Sequence, residues 1–108
     1  KPILNSPDNG TTVANLSDVV FTWEPDLSGS TMAYRLLVFD RNYNIIWIYN
    51  PASNEALSVP YGGPDITGQQ QIIWRVDAKG QTLDMTVNET DFTIYSGSES
   101  NERVIYIR

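Results

Sequence analysis

The sequence predicts an all-β protein, a small antiparallel sandwich of two sheets with about seven short strands. Three observations carry that expectation. Apolar residues recur at a period of two, most clearly in Gln69–Lys79, where Ile72, Trp74, Val76 and Ala78 share one face and Ile73, Arg75, Asp77 and Lys79 the other. No segment of ten or more residues keeps a helical period, and there are no internal repeats. Glycine, proline and Asn/Asp turn chemistry separates the apolar runs at fairly even spacing, as in a sandwich.

Taken in order, Pro2–Pro7 is a short extended segment bracketed by prolines and reads as an edge strand. Asp8-Asn9-Gly10 is turn chemistry. In Val19–Glu24, Val19, Phe21 and Trp23 point inward, and Pro25 ends the run. Asp26–Thr31 is a polar loop. Met32–Asp40 puts Tyr34, Leu36 and Val38 on one row and Arg35, Leu37 and Phe39 on the other, a second row unusually apolar for a solvent face. After the turn Arg41–Asn44, Ile45–Tyr49 is apolar on both rows and stops at Asn50-Pro51. Ala56–Val59 is a short strand closed by Pro60, and Tyr61–Gly68 is a glycine- and proline-rich loop. Beyond the Lys79-Gly80 turn, Leu83, Met85 and Val87 alternate, followed by Phe92 and Ile94, which reads as one long strand with a bulge near Asn88–Thr90. Ser96–Arg103 is polar and flexible in composition, and Val104–Ile107 is a last apolar run. The expected organisation is one domain over residues 1–95, with 96–108 a polar linker plus a short apolar strand or tail.

At 108 residues, chain length favours one domain with one core. The formal charge of -6 repels phosphate backbones and anionic lipid, so neither nucleic acid nor membrane insertion is expected. No apolar run approaches the ~20 residues of a membrane helix. The chain opens Lys1-Pro2, with no methionine and no leader pattern, and reads as a piece of something longer. With no cysteine, no disulfide can staple the fold. With no histidine either, soft metal sites and Ser-His-Asp or Cys-His machinery are excluded.

Phe21, Trp23 and Pro25 in the second strand, Tyr34, Leu36 and Val38 in the third, and Trp74-Arg75-Val76-Asp77-Ala78 in the sixth together resemble a fibronectin type III-like module. The opening, with Pro2, Leu4, Ser6, Pro7 and Gly10, is similar to the variety found in bacterial secreted and envelope proteins, and Phe92-Thr93-Ile94 resembles that family's last strand. The likeness spans about residues 2–95. It implies a fibronectin type III/immunoglobulin-like sandwich and a non-catalytic module of a secreted, periplasmic or cell-surface protein that spaces or docks neighbouring domains. One position departs: Ile72 stands where the family usually has a tyrosine that ties down the loop before the strand. Tyr61–Gly68 must therefore be held in another way.

The thirteen acidic residues could supply a carboxylate pair for glycoside hydrolysis, but Asp8, Asp18, Asp26, Asp40, Asp65 and Asp84 scatter over turns and strand ends of a thin sandwich. Catalysis is not expected, and neither a cofactor nor a metal is. Calcium has no loop signature here. Three Asn-x-Ser/Thr triplets, at Asn9, Asn15 and Asn88, are no more than such a composition supplies by chance. Trp23 and Trp74 belong to the core. The candidate contact face comprises Leu37, Phe39, Trp47, Tyr49, Tyr61 and Ile73, and its expected partners are neighbouring domains of the same chain or another protein. The alternative is a carbohydrate-binding module in which Trp47, Tyr49 and Tyr61 stack on a glycan. A folded-back Val104–Ile107 would be the simplest cover for the apolar row.

Overall fold

Alternation along the strands becomes two sheets with a shared core in the computed structural model, which describes residues 2–24, 31–50, 57–66, 68–80 and 99–108. The strands are β1 (Ile3–Ser6), β2 (Thr11–Val13), β3 (Val20–Glu24), β4 (Thr31–Asp40), β5 (Ile45–Tyr49), β6 (Ser58–Pro60), β7 (Gln70–Gly80) and β8 (Arg103–Ile107). One sheet has the order β1-β3-β6, the other β2-β8-β7-β4-β5. Among the described residues every strand pairing is antiparallel except β2 with β8, which is parallel.

The core follows from the rows that alternation sets. Phe21 and Trp23 from β3 meet Tyr34, Leu36 and Val38 from β4 and Ile72, Trp74, Val76 and Ala78 from β7, all buried. The Phe21 and Trp74 rings lie 4.8 Å apart across the two sheets. Fully burying such a side chain contributes about 1.5–3 kcal/mol. Beta-branched and aromatic residues fill these strands because they pack well on a pleated, half-buried surface.

The expected strands at Val19–Glu24, Met32–Asp40, Ile45–Tyr49 and Gln69–Lys79 appear within a residue of those bounds at each end. Proline stands at the end of β6, an edge strand, where a missing N–H costs no ladder bond. Ala56 and the long strand expected over Leu83–Ile94 lie outside the described residues.

Sequence alone sets residues 96–108 apart from the domain. Residues 103–107 instead form β8, lodged between β2 and β7, with Ile105 and Ile107 in the core. Val104–Ile107 is therefore a member of the larger sheet and not a flap over its face. Two elements carry no sequence signal: the three-residue β2 and a 3-10 turn at Leu16–Asp18 that buries Leu16.

The opening segment is fastened to β8. Arg103 Nη1 donates to the Asn5 and Pro7 carbonyls at 2.8 and 3.0 Å. The Val104 amide donates to Asn9 Oδ1 at 2.8 Å, and the Gly10 amide donates to the Val104 carbonyl at 2.7 Å. Gly10 supplies the φ of +87° that this turn requires. No helix among the described residues is long and apolar enough to cross a membrane.

Candidate functional site

Side chains that face away from the core along β4 and β7 form the outer surface of the larger sheet. The register sets Phe39 opposite Ile73, Leu37 opposite Arg75, and Arg35 opposite Asp77. Leu37, Phe39 and Ile73 make one apolar cluster, flanked by Ile48 from β5 and Val104 from β8. They are buried, Leu37 completely. The Arg75 guanidinium lies 5.4 Å from the Phe39 ring centroid, a cation–π distance, and Tyr43 also packs on that ring at 5.8 Å. The Tyr43 hydroxyl donates to Glu102 at 2.8 Å, which pushes its pKa above the usual tyrosine range.

Of the six residues expected to share one contact face, the structure brings together Leu37, Phe39 and Ile73. A bulge between Val38 and Phe39 sets which row of β5 joins them: Ile48 pairs with Leu37, while Trp47 and Tyr49 pair with the core-facing Val38 and Leu36. Trp47, Tyr49 and Tyr61 therefore lie on the other side, at the rim of the core. Trp47 sits 5.1 Å from Tyr61, edge to face, 5.9 Å from Tyr49 and 6.5 Å from Phe21. Tyr61 is buried, and its hydroxyl donates to the Pro64 carbonyl at 2.6 Å. That bond fastens the loop that precedes β7. Burial of the ring raises the Tyr61 pKa, and the Asp65 charge adds to it. Trp47 packs over the same loop: a Cβ added at Gly62 would lie 3.3 Å from the indole. Trp47 and Tyr49 are half-buried at the core rim, and Tyr61 offers no open face for a sugar ring.

Beside the apolar cluster lies a buried ionic group. Asp77 Oδ1 accepts from Arg75 Nε at 3.0 Å, Asp77 Oδ2 is 3.7 Å from Arg35 Nη2, and Arg75 reaches Glu99 at 3.3 Å. Burial pushes the Asp77 carboxyl above its ordinary pKa, and Arg75 and Arg35 pull against that. Ser100 completes the join: its amide donates to the Val76 carbonyl at 2.8 Å and its Oγ accepts from the Val76 amide at 2.9 Å. The group anchors the approach to β8. Among the described residues, no three acidic side chains gather where they could hold a metal ion.

No family model, no curated protein and no solved structure matches the chain.

One exposed aromatic carries no functional signal in the sequence. Tyr106 lies on the outer surface of β8, opposite Gln71 of β7 and Thr12 of β2, at a groove of about 510 Å³. Its place becomes visible only with the β2–β8–β7 register, because Val104–Ile107 alone does not say which strands flank it.

Proposed function

We propose that the chain is a non-catalytic module of the fibronectin type III/immunoglobulin-like kind, which holds its neighbours in a secreted or envelope protein at a fixed separation. The observation that carries the spacing role is the direction of the end strands. β2 and β8 are parallel. β4 runs with β8, because both are antiparallel to β7. Across the core, Trp23 meets Tyr34, and Phe21 meets Trp74, the partner of Val38, so β3 runs against β4. β1 is antiparallel to β3 and therefore runs with β4. The first and last strands thus all run one way. β1 therefore begins at one end of the strands and β8 finishes at the other. A bead threaded end to end lengthens a string, whereas one with adjacent termini makes a side branch. The strand orders β1-β3-β6 and β8-β7-β4-β5 support the proposed sandwich type. The sequence resemblance is what supports the secreted or envelope setting.

The test attaches a donor and an acceptor dye beyond the two ends and measures energy transfer. A single narrow distance, insensitive to salt, is expected. A broad distribution, or ends that lie side by side, would refute the spacing role.

A further inference from the structure

We infer that the outer corner of β2, β8 and β7 is a binding groove for a neutral saccharide, with the Tyr106 ring as its stacking platform. This goes beyond spacing and concerns residues distant from the rim aromatics.

The corner is built by alternation. Ile105 and Ile107 point into the core, so Tyr106 and Arg108 point outward. Ile72 points inward, so Gln71 points outward beside them, and Gln69, just before β7, lines the same groove. Thr12 stands opposite Tyr106, while its neighbour Val13 packs on the core. Directly opposed side chains on antiparallel strands, such as Gln71 and Tyr106, have Cβ atoms about 4.5–5.5 Å apart. An aromatic ring is thereby flanked on both strands by an amide and a hydroxyl, with a second amide and a guanidinium at the next step.

Three features point to sugar. Tyr106 is 45% exposed, and among the described residues it stacks on no ring and its hydroxyl makes no hydrogen bond. Among the described residues the other strongly exposed tyrosine is Tyr43, which is instead engaged by Phe39 and Glu102. The groove is shallow and open, with a volume of about 510 Å³, a shape that suits a ligand laid along the sheet rather than one enclosed in a pocket. A pyranose presents just such a surface, an apolar face of C–H groups edged by hydroxyls. Gln71, Gln69 and Thr12 offer both donors and acceptors to those hydroxyls. The net charge of -6 disfavours nucleic acid, the other polymer whose rings stack on tyrosine.

The test titrates the isotope-labelled chain with cellohexaose, xylohexaose, mannohexaose, maltohexaose and chitohexaose, followed by amide chemical shifts. At least one should bind at millimolar or tighter affinity, with shifts centred on Thr12, Gln71 and Tyr106. Tyr106→Ala should weaken binding about tenfold or more, equal to about 1.4 kcal/mol. Tyr106→Phe and Tyr43→Ala should leave it within about twofold, a few tenths of a kcal/mol. Thermal melting of each variant verifies that it folds. The inference is overturned if no hexasaccharide shifts these amides, if Tyr106→Ala binds as well as the parent, or if oligothymidine binds there instead. Failure here leaves the end-to-end geometry of the spacer unaffected.

Discussion

Adding a single methyl group at Gly63 tests how the loop that closes the sandwich is held. An alanine Cβ there would stand 2.6 Å from the Tyr61 hydroxyl, 2.8 Å from Tyr61 Cζ and 2.8 Å from Trp47 Cβ. None of these neighbours yields easily. The Tyr61 hydroxyl is bound to Pro64, and Trp47 Cβ is attached to the backbone of β5. Overpacking of this kind costs about 1–3 kcal/mol. Restricting the unfolded chain returns about 0.4–1 kcal/mol. The expected net loss is therefore about 1–2 kcal/mol, read as a lower urea midpoint at unchanged m-value in tryptophan fluorescence. Tyr61→Phe alone should cost about 0.5–1.5 kcal/mol for its hydrogen bond. In the phenylalanine background the shortest of the three contacts is gone, so Gly63→Ala should cost less, with a coupling of about 0.5 kcal/mol or more. The reasoning fails if Gly63→Ala matches the parent within about 0.3 kcal/mol, or if its cost is the same in both backgrounds, since neighbours in contact couple by more than that.

Asp77 has a folded-state pKa raised by burial, so the folded chain holds that proton more tightly than the unfolded one. Its contribution makes stability fall as pH rises from about 3.9, the unfolded carboxyl value, through the raised folded value; Asp77→Asn should remove that fall, and urea midpoints whose pH dependence matches the parent's would disprove it. Asp40 acts in the opposite sense, because hydrogen bonds from the Asn44 amide and side chain hold its pKa down. Its contribution is present above the unfolded value and lost on acidification, so Asp40→Ala should flatten the acid side of the same titration. Removing residues 103–108 strips Ile105 and Ile107 from the core, at about 1.5–3 kcal/mol each, and leaves β2 without its neighbour. Cooperative melting should disappear, and a sigmoidal transition near the parent midpoint would show β8 to be dispensable.

The four long runs are legible because a two-residue period with one buried face admits no other register. Phe21, Trp23, Leu36 and Trp74 declare their direction by their neighbours alone. β2 and β8 are not legible. Thr11–Val13 is too short to alternate, and its parallel partner lies more than ninety residues away, behind a polar stretch that reads as a linker. The outward row Leu37, Phe39 and Ile73 follows from alternation, but the destination of Trp47 turns on one bulge in the β4–β5 ladder. The Arg35–Asp77 pair is hidden for the same reason: each residue is visibly outward, while their opposition depends on strand register. Tyr106 is on view as an apolar letter in a tail, and only its flanking strands make it a candidate platform.

The parallel lie of β2 against β8 has a mechanical consequence. Tension applied at the two chain ends draws β2 backward and β8 forward, so the strands slide lengthwise past one another. The hydrogen bonds between them, bounded by Gly10 to Val104 and by Arg108 to Val13, are then loaded together. An antiparallel hairpin pulled from its open end would unzip rung by rung. Here the first movement along the seam requires several rungs to break at once while Ile105 and Ile107 begin to leave the core. Forced unfolding is governed by the height of that barrier, not by equilibrium stability. A domain stitched in this way resists stretching until the seam fails as a whole.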